Sequence, residues 1–361
     1  MRYRLFSSIF IAGSCLAIQA SAQDAPLTTL GGFFKDTTDM DVATNICPYP
    51  LDQVEGNCVY LVPEVRNHEF KTLVGSASPF YARFLNNGEL LKGTYAMPGD
   101  KVWLTVADDR TALSGSNTRL LKFLDKLYPY FENSETEVRD TANFKTMDRV
   151  AFLNYEVARR NKQRRYVIEY FVGTPPLEQE MKNLLEADIN YSYALKLLRY
   201  ARSGGKEKRF SLRYADYTNA LMEVPPNDPL AMTSPAYIQY LYELPFTLWH
   251  TEINWGMTDK PPYNKLVASE FVIRDSFARK YFRGEIYELA LYGILLDAIK
   301  DAAKVKGTSE FDAAYLKADK IINDLGKSFQ NGIYYSRIRE RLAELKVVPR
   351  EAPNPVKKKK K

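Results

Sequence analysis

Apolar and polar positions follow one period in the first third of the chain and another in the rest. From about residue 27 to 111 the apolar residues come in short runs, at Val59 to Leu61, Glu69 to Val74 and Phe80 to Leu85. Runs of that length bounded by turn residues predict strands. Asn86-Asn87-Gly88 predicts a tight turn, because asparagine and glycine tolerate positive φ. Pro98-Gly99-Asp100 predicts a second, with proline fixing φ and glycine taking the left-handed position. It leads into Val102-Trp103-Leu104-Thr105-Val106, a strand by composition. An antiparallel sheet or small sandwich is expected.

At Ser114-Gly115-Ser116 the period lengthens to that of a helix. Ser116 is expected to cap a helix carrying Leu120, Leu121 and Leu124, and Ser134 with Glu137 forms a capping box for a long helix toward Phe171. Thr174-Pro175 predicts the next start, with Leu184, Tyr191, Leu195 and Leu198 along one face. Helical spacing returns at Leu289, Tyr292, Leu296 and Ile299, and at Tyr335, Ile338, Leu342 and Leu345. The segments vary too much in length for a tetratricopeptide-like repeat. The expected fold class is α+β, an N-terminal antiparallel β domain over 23–113 followed by an all-α helical domain over 114–347.

The two ends change the picture. Arg2 and Arg4, the mostly apolar stretch Leu5 to Ile18, and Ala20-Ser21-Ala22 together read as a cleavable signal peptide over residues 1–22, with Gln23 as the new N-terminus. Lipid attachment at Cys15 fits less well, because Ala12 stands where a bulky aliphatic is usual. Residues 348–361, with Pro349, Pro353 and Pro355 ahead of Lys357, Lys358, Lys359, Lys360 and Lys361, read as a disordered tail. Export to the periplasm or the outer membrane is therefore expected.

Charge follows from those ends. The formal net charge is +6, but without Arg2, Arg4 and the five terminal lysines the 50 basic residues become 43, against 44 acidic ones. A neutral body argues against a nucleic-acid partner, whose footprint is a basic face. The lysine tail suits an anionic surface or another envelope protein, with peripheral membrane contact as one form of it, or it only solubilises.

Candidate chemistry is sparse. Cys47 and Cys58, ten residues apart around Pro48 and Pro50, favour a structural disulfide over a catalytic pair. The chain has two histidines, His68 and His250, and His250 beside Trp249 reads as a packed residue before it reads as a ligand. Walker loop and Gly-x-Ser-x-Gly elbow are both missing from the sequence, and no carboxylate pair stands out. The basic run Arg159 to Arg165 reads as a solvated helix face, with a grip on phosphate or lipid headgroups as the alternative. Tyr237, Tyr240, Tyr242, Trp249 and Trp255 could line a groove for a peptide or glycan, although such residues more often pack between helices. No catalytic residue, metal or cofactor is expected.

The order of motifs resembles the front part of the TlpA/ResA-like thiol-disulfide oxidoreductases of Bacteroidetes. The residues that carry it are Tyr-x-x-Pro-Gly-Asp-x-Val at Tyr95 to Val102 within the stretch to Val106, Leu113-Ser114-Gly115-Ser116, Val224-Pro225-Pro226-Asn227-Asp228-Pro229-Leu230, Ser234-Pro235-Ala236-Tyr237, and Tyr335 to Leu345 with Ala352-Pro353. The resemblance implies a small β domain, a helical domain and then a thioredoxin domain. The catalytic Trp-Cys-x-x-Cys of the family matches no position in this sequence, so none of its catalytic residues is carried over. The expectation is a non-catalytic binding or assembly protein of the envelope. A partner or regulator of a separate thioredoxin-like protein, and a glycan- or peptide-binding protein, are the alternatives.

Overall fold

The computed structural model describes residues 26–35, 42–46, 50, 54, 59–63, 65–76, 78–87, 89–107, 110–127, 146–173, 178–203, 215–254 and 263–346. The signal-peptide stretch, Cys47, Cys58, Ser134, Glu137, Thr174, Trp255 and the lysine tail lie outside these residues.

The fold is α+β. Strands β1 (Leu27–Phe34), β4 (Glu69–Gly75), β7 (Lys101–Ala107) and β8 (Arg110–Gly115) form one sheet in the order β4-β1-β7-β8. Strands β2 (Val42–Ile46), β3 (Val59–Leu61), β5 (Phe80–Asn86) and β6 (Glu89–Ala96) form a second, in the order β3-β2-β5-β6. Pairing is antiparallel except between β1 and β7, which run parallel with Gly31 opposite Trp103. Strand β8 carries the sheet on to Gly115, past the expected change of period. Its exposed and half-buried residues alternate, and that is the two-residue period of a strand with one face toward the core.

The sheets pack face to face. Leu30, Phe34, Phe70, Val74, Val102 and Leu104 of the first meet Val42, Ile46, Phe80, Ala82, Phe84 and Ala96 of the second. Both expected turns take left-handed backbone, with φ of 50° at Asn87 and 82° at Gly99. In the second turn Asp100 accepts from the backbone N–H of Met97 at 3.0 Å, and Gly99 N–H donates to Thr28 Oγ1 at 3.0 Å.

Helices then cover the outer face of the second sheet. Tyr81 and Tyr95, opposite one another on β5 and β6, pack with Leu120, Phe123 and Leu124 of α1 (Thr118–Leu127), Val167 and Phe171 of α2 (Arg149–Phe171), and Leu184 and Leu185 of α3 (Gln179–Ser203). The cap of α1 is Asn117, whose Oδ1 accepts from Leu120 N–H at 3.1 Å, where Ser116 was expected. Ser116 is held elsewhere: its hydroxyl accepts from Lys101 N–H and donates to Asp100 Oδ1. Helix α2 ends at Phe171 as its pattern predicts, but it begins at Arg149 under Asp148, which accepts from Ala151 N–H at 2.8 Å.

Beyond α4 (Ala215–Met222) and the loop to Asp228, α5 runs over Pro235–Leu248 and continues as a π-helical turn, Trp249–Asn254. Pro245 inside α5 has no N–H for the ladder, and the wider turn follows it within one helical turn. Four helices follow: α6 (Tyr263–Tyr281), α7 (Gly284–Lys304), α8 (Phe311–Leu325) and α9 (Gly332–Glu344). By its internal contacts the chain divides at Glu243/Leu244, within α5, into two compact units. Unit one holds both sheets and the first helices. In unit two α7 is the central element, buried from Ile286 to Ala302, with α6, α8 and α9 against it.

Candidate functional site

Interior charge marks either a site or a structural joint. Asp188 on α3 is fully enclosed. Its Oδ1 accepts from Ser234 Oγ at 2.8 Å and Ala236 N–H at 3.3 Å, and its carboxylate is hydrogen-bonded to the Tyr95 hydroxyl. Burial raises its pKa, the three hydrogen bonds opposing. Asp188 thus caps α5 while tying it to β6. Tyr237 adds a second tie, accepting from Asp228 N–H at 3.2 Å and donating to Pro226 O at 2.9 Å. Tyr95, Ser234, Ala236 and Tyr237 belong to the motifs quoted above, and here they hold the sheet and helices together.

A second interior network lies between α2 and α3. Helical spacing turns Phe152, Glu156, Arg160, Gln163 and Val167 to one buried side. Arg160 donates to Asn190 Oδ1 at 2.8 Å and Glu223 Oε2 at 2.7 Å, and its guanidinium stands over the Tyr193 ring. The basic run is therefore not uniformly a solvated face: Arg160 points inward, whereas Asn161, Lys162 and Arg165 are exposed. Glu156 has no exposed surface and no aligned hydrogen-bond donor among the described residues, although Arg159 Nη2 approaches Oε2 to 2.9 Å. Burial pushes its pKa up to about 7, with Arg159 pulling partly back.

Of the aromatic stretch, Tyr237 and Tyr240 land in the interior and Tyr242 is half-buried. Tyr237 and Tyr240 are 0 % and 2 % exposed and pack against Tyr191 at ring distances of 4.4 and 5.3 Å, so neither presents a surface to a ligand. Trp249 and His250 are half-buried in unit two beside Phe246. Nothing in the described residues gathers three or more metal-ligating side chains.

Unit two contains an open cleft of about 320 Å³ between the start of α7 and the turn before α9, lined by Arg279, Arg283, Tyr287, Glu288, Ser328 and Gln330 among others. Its charges are already engaged. Arg279 Nε donates to Asp275 at 2.8 Å and its Nη2 to Ser328. Arg283 donates to the carbonyls of Arg279 and Phe282. Glu288 accepts from the N–H groups of Gln330 and Asn331.

The remaining surface with unusual chemistry is the outer face of the first sheet. Every second residue of β4, β1, β7 and β8 points away from the core, and the registers place them in rows. One row runs Lys71, Gly31, Trp103, Ser114; the next runs Glu69, Phe33, Thr105, Ala112; on the other side lie Leu73, Thr29 and Lys101. Leu27 and Leu73 are 61 % and 54 % exposed, and Trp103 and Phe33 are half-buried. The indole sits directly on the backbone: a Cβ at Gly31 would meet its ring at 2.4 Å. Phe33 has the His68 ring edge-on at 6.4 Å, from a turn in which Asn67 and His68 both have positive φ. Among the described residues of unit one, no helix clusters with the outward residues of this face, whereas three pack on the equivalent face of the second sheet.

Sequence reasoning noted Trp103 only as a strand residue and passed over Phe33 and Lys71. The signal was available in part, since Trp103 alternates with buried Val102 and Leu104.

These features define an α+β protein with one sheet face under helices and the other carrying an aromatic, charge-rimmed surface. The chain matches no family model, no curated protein and no solved structure.

Proposed function

We propose that the chain is an exported, non-catalytic binding protein of a bacterial cell envelope, and that it binds through the outer face of the first sheet. The observation behind this reading is Trp103, a half-buried indole seated over Gly31 on a sheet face whose outward residues join no helix cluster among the described residues of unit one. Large apolar rings kept at a surface without a packing partner mark binding faces in soluble proteins. In the register Lys101 and Thr105 lie two residues to either side of the ring on β7, Ser114 lies opposite it on β8, and Lys71 lies beyond Gly31 on β4. The outward residues of the face include no nucleophile–base pair, so the arrangement suits holding a ligand in place. Export rests on residues 1–22, and the resemblance to the accessory region of TlpA-like proteins supports an envelope setting.

The test has two parts. Mass analysis of protein recovered from the native envelope should give Gln23 as the N-terminus. Retention on isolated envelope material should fall at least about tenfold, a loss near 1.4 kcal/mol, in Trp103→Ala. Equal retention of a folded Trp103→Ala protein would remove the assigned face.

A further inference from the structure

We infer that the ligand of this face is a polysaccharide whose sugars carry anionic groups, either carboxylate or sulfate. The inference rests on the binding reading above and supplies the ligand class for the same surface.

Among the described residues, the charges at outward positions of the face are unbalanced. Lys71, Lys101 and Arg110 occupy outward positions on β4, β7 and β8, against Glu69 alone on the same strands. All three cations are exposed, and their side chains make no ion pair or hydrogen bond within the described residues. Several arginines elsewhere are paired within the fold, Arg160 with Glu223, Arg274 with Asp297 and Arg279 with Asp275. Charges left unpaired around an aromatic ring are available to a ligand of opposite sign.

Ring and hydroxyls narrow the class. A sugar offers a face of C–H groups that can lie on an indole, and hydroxyls at its rim that match Thr29, Thr105 and Ser114. Four strands at about 4.8 Å spacing make a surface roughly 14 Å wide, room for several linked sugars. Single-stranded nucleic acid also stacks on aromatic rings, but it calls for a cationic track and successive stacking platforms. Here the outward rings are Trp103 and Phe33 alone among the described residues, both half-buried, on a chain whose body has 43 basic against 44 acidic residues once Arg2, Arg4 and the five terminal lysines are set aside.

The experiment uses the full mature chain, with affinity measured for polygalacturonate, dextran sulfate, neutral dextran, oligo-dT and phosphatidylserine vesicles. One or both acidic polysaccharides should bind best, and which one separates carboxylate from sulfate as the anion. Binding should weaken as salt is raised. Lys71→Gln with Lys101→Gln and Arg110→Gln should weaken acidic-glycan binding at least about tenfold. Glu69→Gln should strengthen it, which keeps the test decisive should the triple variant fold poorly. If neutral dextran binds as tightly as the acidic polymers and the binding depends on Trp103, the charge assignment is overturned while the face stands. Preference for oligo-dT or vesicles overturns the ligand class. No glycan binding, together with envelope retention indifferent to Trp103→Ala, overturns both this inference and the reading beneath it.

Discussion

Gly31 shows how one residue decides a surface. A side chain there would clash with the Trp103 ring at 2.4 Å on one side and with Phe70 O at 2.9 Å on another, so the indole rests where it does because Gly31 has none. Gly31→Val should therefore lift the indole from the sheet. Overpacking of this kind costs about 1–3 kcal/mol, read as a lower denaturant midpoint, and the variant should also lose affinity for any ligand that uses the ring. Arg274 in unit two illustrates the opposite case, a charge sealed inside. It is 2 % exposed, donates to Asp297 at 2.6 Å and stands over Phe246. That pairing makes it a structural residue.

Among the elements, the joint between β6, α3 and α5 carries the most. Asp188 adds to the capping of α5 from across the fold, beside Ser234, whose Oγ accepts from Tyr237 N–H at 3.2 Å, and Tyr95 reaches it from the sheet. Asp188→Ala would leave the Ser234 hydroxyl, the Tyr95 hydroxyl and the Ala236 N–H without their acceptor. The expected loss is about 2–4 kcal/mol in chemical denaturation. Asp188→Asn keeps one carbonyl oxygen for Ser234 and Ala236 and should recover part of it. An equal loss in both variants would mean that the charge, and not the acceptor geometry, holds the joint.

For the molecule as a whole, Glu156 should set a pH dependence. Its folded pKa, raised by burial to about 7, lies above the ordinary value of 4.5. Below pH 4.5 the carboxyl is protonated whether the chain is folded or not, and its burial carries no ionisation penalty. Between about 4.5 and 7 the unfolded chain releases the proton while the folded one keeps it, so stability falls as pH rises. Above 7 the loss is complete, on the order of 3 kcal/mol for a shift of this size. Melting temperature followed across that window should decline in the wild type, and Glu156→Gln should remove Glu156's share of the slope. A wild-type and variant slope that coincide would show that the carboxylate ionises freely in the fold.

From the chain alone come the α+β order, the strands β3, β4, β5 and β7 of the eight described, and the two turns. These depend on local period and on residues such as Asn87 and Gly99 whose backbone freedom is intrinsic. It also marked where α2 ends. Local rules misplaced caps, because Ser116 and Asn117 are both able to cap, and only the approach of Asp100 and Lys101 from β7 claims Ser116 for another bond. The basic run was read as one surface, since its inward member, Arg160, becomes visible only when Asn190 and Glu223 arrive from α3 and the turn after α4. Along the chain the tyrosines after residue 236 suggest a groove, and Trp103 reads only as a strand residue. Tertiary packing reverses that reading: helices close over Tyr237 and Tyr240, while the sheet that carries Trp103 spends its inner face on the sandwich and leaves the ring half-buried on its outer one.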